Sequence, residues 1–207
     1  MFSKFLNLQQ EKQERILHAA MKEFAQNGFE KASTNEIIKE ADISKGLLFY
    51  YFKNKKSLYL FLYDYCIELY TKEFYNKINM DETDIFIKLR ECGLVKAELM
   101  IRYPEIFVFI EVAYREKSKN VKSDLELINS ELTTSSYAKV FANVDTSKFK
   151  EGLELDKCIN IIIWTIDGFA AELMKKEKSL TLNKEVYEKA LDEADVYMDV
   201  LKNCFYK

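Results

Sequence analysis

Few side chains in this sequence are of the kind that perform covalent chemistry. One histidine, His18, and four cysteines, Cys66, Cys92, Cys158 and Cys204, are scattered through 207 residues, with no C-x-x-C pair among them. Zinc, di-iron, Ser-His and Cys-His sites need such groups close together, so no catalytic residue, metal or cofactor is expected. His18 falls in a charged amphipathic stretch and reads as a surface histidine. A different chemistry is written at Lys45-Gly46-Leu47 and in the aromatic run Phe49-Tyr50-Tyr51, followed by Lys53, Lys55 and Lys56. Ammonium groups, a residue with no side chain and phenolic hydroxyls suit close approach to a phosphate backbone and to base edges.

Those residues must be held by helices. Over residues 10–26 the apolar positions Ile16, Leu17, Ala20, Met21 and Phe24 mark one helical face, which Asn27-Gly28 ends. Phe29 is then placed to fold back onto that face. Ser33-Thr34-Asn35-Glu36 has the form of a capping box, with Ser33 capping a second helix and Glu36 reaching back to it. Ile37, Ile38 and Ala41 supply its buried side, Asp42-Ile43 interrupts it, and a third short helix runs from 44 to 52. Two short helices joined by a tight turn form a helix-turn-helix, although the spacing alone equally suits an ordinary helical hairpin.

The composition agrees with helices. The chain is 48% hydrophobic and 31% charged with five Gly and one Pro, too few turn-formers for a sandwich or barrel. The net charge of -3 is unevenly spread: residues 1–60 hold ten Lys/Arg and seven Asp/Glu, leaving a basic head on an acidic remainder. The first residues lack a basic segment followed by an apolar one. The uncharged run at 158–166 is far short of the roughly 20 residues of a membrane span. A reduced, cytoplasmic chain with no membrane partner is expected.

The stretches FAQNGF (residues 24–29) and ASTNEIIKEADISKGLLFYYFKNK (residues 32–55) resemble the N-terminal domain of the TetR family of transcriptional repressors. The resemblance covers residues 9–62 and rests on a spaced set of positions rather than one short pattern. It implies an all-α fold of about nine helices. Residues 1–55 would form a three-helix helix-turn-helix DNA-binding domain, and residues 56–207 a helical effector-binding and dimerisation domain. By the same resemblance Thr34 and Asn35 face the backbone and groove edge, and Lys45, Gly46 and Leu47 meet base edges. Phe49 stands at the groove, Tyr50, Tyr51 and Lys55 contact phosphate and sugar, and Leu48 and Phe52 pack inward. Two positions depart from the family: Asp42 replaces a usual Gly, and Leu47 replaces a small hydroxyl residue. Asp tolerates a left-handed backbone, so the turn survives, whereas Leu47 shifts the contact towards apolar groups such as thymine methyls.

In the remainder, a long connecting helix is expected over 57–78. Further helices are expected at 82–102, 104–117, 121–143, 156–178 and 184–205, with Pro104 opening one and Gly152 in a linker. Tyr187, Leu191, Ala194, Met198, Leu201 and Phe205 alternate spacings of four and three, a heptad seam that needs a partner helix. Ile162, Ile166, Phe169 and Leu173 line the helix before it. The resemblance implies a homodimer through these two helices, an inverted-repeat site on double-stranded DNA, and a small hydrophobic or amphipathic effector. Met100, Phe107, Glu111, Tyr114, Trp164 and Asp167 are the candidate effector-lining residues. The competing readings are an effector-independent DNA-binding regulator and a helical protein-interaction module. An enzyme has neither nucleophile nor metal cluster to stand on.

Overall fold

The structure, a computed structural model, describes residues 2–176 and 184–207. It is 79% helical and holds no β-strand among the described residues. In chain order the helices are α1 (Ser3–Leu6), α2 (Gln10–Lys31), α3 (Thr34–Glu40), α4 (Lys45–Phe52), α5 (Lys55–Lys77), α6 (Ile85–Arg102), α7 (Pro104–Tyr114), α8 (Lys122–Val140), α9 (Leu155–Lys176) and α10 (Lys184–Phe205). A 3-10 turn spans Thr146–Lys148. Pro104 sits in the first turn of α7, where its missing N–H costs nothing. Of the helix expected over 156–178, residues 177 and 178 lie outside the described residues.

The chain divides into two compact units, residues 1–72 with 103–134, and residues 73–102 with 135–207. A division after residue 55 is therefore not the one that packing makes, because α7 packs along α2 within the first unit. That unit is built on an aromatic core. Tyr59 stands edge-on to Phe24, Phe29 and Phe109, with centroids 4.8, 5.3 and 5.4 Å away, and Leu48, Phe52 and Leu62 are buried with them. Edge-to-face ring pairs of this kind add to the gain from burial alone.

The turn from α2 into α3 sets the direction of everything after it. Gly28 adopts φ 65 and ψ -178 and breaks the α2 backbone, a region open essentially to glycine alone. Side chains then satisfy the backbone of the corner it opens. The Phe29 N–H donates to Glu116 at 2.7 Å, and the Ser33 N–H donates to Glu23 at 2.7 Å. The Lys55 ammonium donates to the carbonyls of Glu30 and Ala32, each at 3.1 Å, and lies 4.9 Å from the centre of the Phe29 ring. The Glu30 carboxylate accepts from the Ser118 hydroxyl and from Asn120, hydrogen bonds that hold its pKa below the usual carboxylate range. Phe29 does fold back, and it is buried against Tyr59.

In the second unit α10 packs on both α6 and α9. A Cβ at Gly93 would lie 2.9 Å from Leu191 Cδ2, so only glycine lets α6 come this near to α10. Lys88 is fully buried and donates to Asn143 at 2.6 Å and to the carbonyls of Val140 and Met80 at 3.0 and 3.3 Å. Its charge thus closes the carbonyl end of α8. Phe149 and Tyr206 form an isolated antiparallel bridge, with ring centroids 5.1 Å apart.

Two substitutions test the corner. Gly28→Ala is expected to lower stability by about 1–3 kcal/mol. The urea midpoint should fall with no change in slope, and an unchanged midpoint would contradict the corner geometry. Lys55→Ala leaves two carbonyls without their charged donor and should cost about 1–3 kcal/mol. A Lys55 engaged only with phosphate would instead leave the urea midpoint unmoved.

Candidate nucleic-acid interface

Both short helices begin on a serine cap. Ser33 Oγ accepts the Glu36 N–H at 3.4 Å, and Ser44 Oγ accepts the Leu47 N–H at 3.3 Å. Of the expected capping box, only the forward bond is the one described. The Ser33 N–H, which Glu36 was expected to take, is bonded by Glu23 of α2, a partner ten residues upstream. Between the helices Asp42 adopts φ 50, so the aspartate carries the left-handed backbone expected of it.

Helix α4 has one face inside and one outside. Leu48, Tyr51 and Phe52 are buried, whereas Lys45, Gly46 and Tyr50 are exposed and Leu47 and Phe49 half-buried. Successive residues point about 100° apart, which lets the consecutive rings serve different surfaces. Tyr50 lies outside with 58% of its surface exposed. Tyr51 departs from the expectation of a phosphate-facing ring: it is 9% exposed and packs 6.0 Å from Phe5 and 6.3 Å from Phe52. Nothing lies within 4 Å of the position a Gly46 Cβ would take, so this turn of α4 is open to an approaching surface. On α3, Asn35 is exposed and Thr34 half-buried.

The lysines after α4 also divide. Lys55 is spent on the corner, and Lys56 pairs with Asp124 at 2.8 Å. Lys53 is exposed at the end of α4 with φ 62 and ψ -50, and the Asn54 N–H closes back onto the Phe52 carbonyl at 2.7 Å. A lysine in so tight a turn is strained. Lys55, expected at phosphate, has its ammonium on the two carbonyls of the α2 corner that lie within its reach.

The other candidates are placed as follows. Tyr114 is 72% and Trp164 67% exposed, so neither lines an interior. Glu111 pairs with Arg115 one turn on at 2.6 Å. The Phe107 ring stands edge-on to Tyr70 at 5.3 Å. Met100 Sδ accepts the Tyr187 hydroxyl at 2.9 Å. Asp167 is half-buried on α9. Phe107, Glu111 and Tyr114 belong to the first unit, and Met100, Trp164 and Asp167 to the second. The heptad seam is used within the chain: Ala194, Met198, Leu201 and Phe205 join Ile162, Ile166, Phe169 and Phe86 in one cluster, with Leu191 beside Gly93. Tyr187 and Leu173 are half-buried. A seam read from one strand of sequence does not say which helix fills it, and here α6 and α9 do.

Cys66, Cys92 and Cys158 are buried and behave as apolar residues, whereas Cys204 is exposed. Burial pushes the Cys66 thiol up to about 12 and the Cys92 thiol to about 11, which keeps both out of the nucleophilic thiolate form. His18 is exposed and hydrogen-bonds Glu105 at 2.9 Å. No group of three or more potential metal ligands exists among the described residues, and none of their helices is long and apolar enough to cross a membrane.

Residues 16–61 match the model for bacterial regulatory proteins of the tetR family. The chain is 40% identical over 70 residues to an uncharacterized HTH-type transcriptional regulator, YuxN, of Bacillus subtilis (strain 168), covering 34% of this chain and 23% of the relative. It is 43% identical over 47 residues to the HTH-type transcriptional regulator QacR of Staphylococcus aureus, covering 23% of this chain and 25% of the relative. These matches span about a quarter of the length of the curated relatives. The fold likeness runs further. The solved structure of SmeT, the repressor of the Stenotrophomonas maltophilia multidrug efflux pump SmeDEF, is similar over 98% of this chain and 93% of that one, with a TM-score of 0.66 at 13% identity. The family model begins within α2 and ends within α5, enclosing both serine caps and the exposed face of α4, so it is this segment that is similar to bacterial regulatory proteins of the tetR family.

Proposed function

We propose that this chain is a homodimeric transcriptional repressor that binds an inverted-repeat DNA site through α4 and is released from it by a small hydrophobic or amphipathic effector. The observation that carries the reading is the division of α4. Leu48, Tyr51 and Phe52 anchor the helix in the core, while Lys45, Gly46 and Tyr50 stand outside on it. In this reading Lys45, Gly46 and Leu47 read base edges and Phe49 flanks them. Tyr50, Thr34 and Asn35 engage the backbone and groove edge. Residues 1–55 carry recognition and residues 56–207 the effector response and dimerisation.

The pairing surface differs from the heptad seam, which is occupied internally. On α9 the residues Ile161 and Trp164, and on α10 Val196, Tyr197 and Val200, are apolar and exposed. These are apolar groups left exposed on two helices that pack together, which water disfavours and a second copy would cover. For the effector, the support is the aromatic richness of the chain beyond the head. Phe107, within the first unit, remains a candidate to line its site, whereas the exposed Tyr114 and Trp164 do not.

Selection of sites from a random duplex pool at near-physiological salt is expected to enrich an inverted repeat with half-sites about one helical turn apart. Lys45→Ala should lose preference at one or two base pairs of each half-site, and unchanged preferences would overturn the assignment of α4. Sedimentation should give a mass twice 24.5 kDa, falling to that of one chain in Val200→Glu. A wild-type mass of one chain at micromolar concentration would remove the dimer.

A further inference from the structure

The single-turn helix α1 lies ahead of the family-matched segment, and its position is fixed from two sides. Phe5 is fully buried, with ring centroids 4.8 Å from Phe52 and 5.4 Å from Phe61, and the Phe2 ring lies 4.5 Å from Phe61. Behind it, Gln13 Nε2 donates to the carbonyls of Leu6 and Leu8 at 3.0 and 2.8 Å. Lys4 has no freedom to wander at the base of its side chain. It is exposed, and its ammonium sits 4.1 Å from the centre of the Tyr50 ring, the aromatic that α4 presents outwards.

We propose that Lys4 is a phosphate-contact residue and that α1 is part of the DNA-binding surface, with the Tyr50 ring as the platform that presents the Lys4 ammonium. An ammonium over an aromatic face is held by the negative face of the ring, and N–H donors turned away from the ring stay available to a phosphate oxygen. The charge balance of the surface points the same way. Lys55 is committed to the carbonyls of Glu30 and Ala32 and Lys56 to Asp124, which removes two of the three cations that follow α4 in sequence. Lys4 restores one from the other end of the chain, on the same side as Tyr50. The inference rests on the reading that α4 faces DNA, and its test separates the two.

The full-length protein is titrated with two duplexes, one carrying the selected site and one of equal length with that site scrambled, from 50 to 200 mM KCl. In Lys4→Ala the affinity should drop by the same factor on both duplexes. The slope of log affinity against log salt should shrink by about 0.9 for each protomer bound, and Lys4→Arg should keep the wild-type slope. An affinity loss with an unchanged slope would overturn the proposal, leaving Lys4 as a prop for Tyr50. No change in either quantity would overturn it equally. A wild-type protein that binds neither duplex with salt dependence would remove the α4 reading and this one with it, whereas wild-type binding with an unaltered Lys4→Ala slope removes this one alone. The thermal midpoint of Lys4→Ala, expected to stay at the wild-type value because the side chain is exposed, excludes unfolding as the cause.

Discussion

The break in α2 at Gly28 is the constraint on which the head depends. A helix that continued through residue 28 would carry α3 and α4 away from the core that Tyr59, Phe24 and Phe109 build. The chain turns there instead and exposes a run of peptide groups that no helix satisfies. Glu116, Glu23 and Lys55 supply the missing partners, and the Ser118 and Asn120 contacts hold Glu30 beside them. Three charged side chains, Glu23 of α2, Lys55 of α5 and Glu116 in the loop after α7, thus hold the corner from which the two serine-capped helices begin. Ring packing then fixes the roll of α4, since burying Leu48, Tyr51 and Phe52 turns Tyr50, on the opposite side of the helix, outwards.

Much of this was legible where the physics is local. The caps at Ser33 and Ser44, the stop at Gly28, the left-handed Asp42 and the inward Leu48 and Phe52 each follow from a residue and its near neighbours. What sequence reading missed involves distant partners. Glu116 meets Phe29 across 87 positions, and Lys55 reaches back 25 positions to the Glu30 carbonyl. A lysine after a recognition helix looks alike whether it serves phosphate or a peptide carbonyl. Phe2 and Phe5 did carry a signal, two aromatics at a spacing of three just ahead of α2, from which a packed N-terminal turn could have been inferred. The α10 seam shows the same limit: its period was legible, but whether α6 and α9 or a second copy would fill it was not.

The charge distribution follows from the same division of roles. A net -3 for the chain disfavours nucleic acid if charge is summed, because bulk electrostatics supplies much of such binding. Recognition depends instead on which cations lie on one face. Lys55 is engaged by two carbonyls and Lys56 by Asp124 in a surface ion pair, while Lys45 and Lys53 stand exposed around α4, and Lys4 arrives from the N-terminal turn. On the proposed function, a surface with so few cations would lean on shape and on base-edge contacts, which favours sequence preference over tight general affinity.

Amide hydrogen exchange of the full-length protein, with and without the duplex recovered by selection, tests the central claim that α4 is the recognition element. The account predicts slowed exchange across residues 44–53 on adding DNA, accompanied by residues 3–8. Protection confined to residues 155–205, with α4 exchanging as in the free protein, would contradict it.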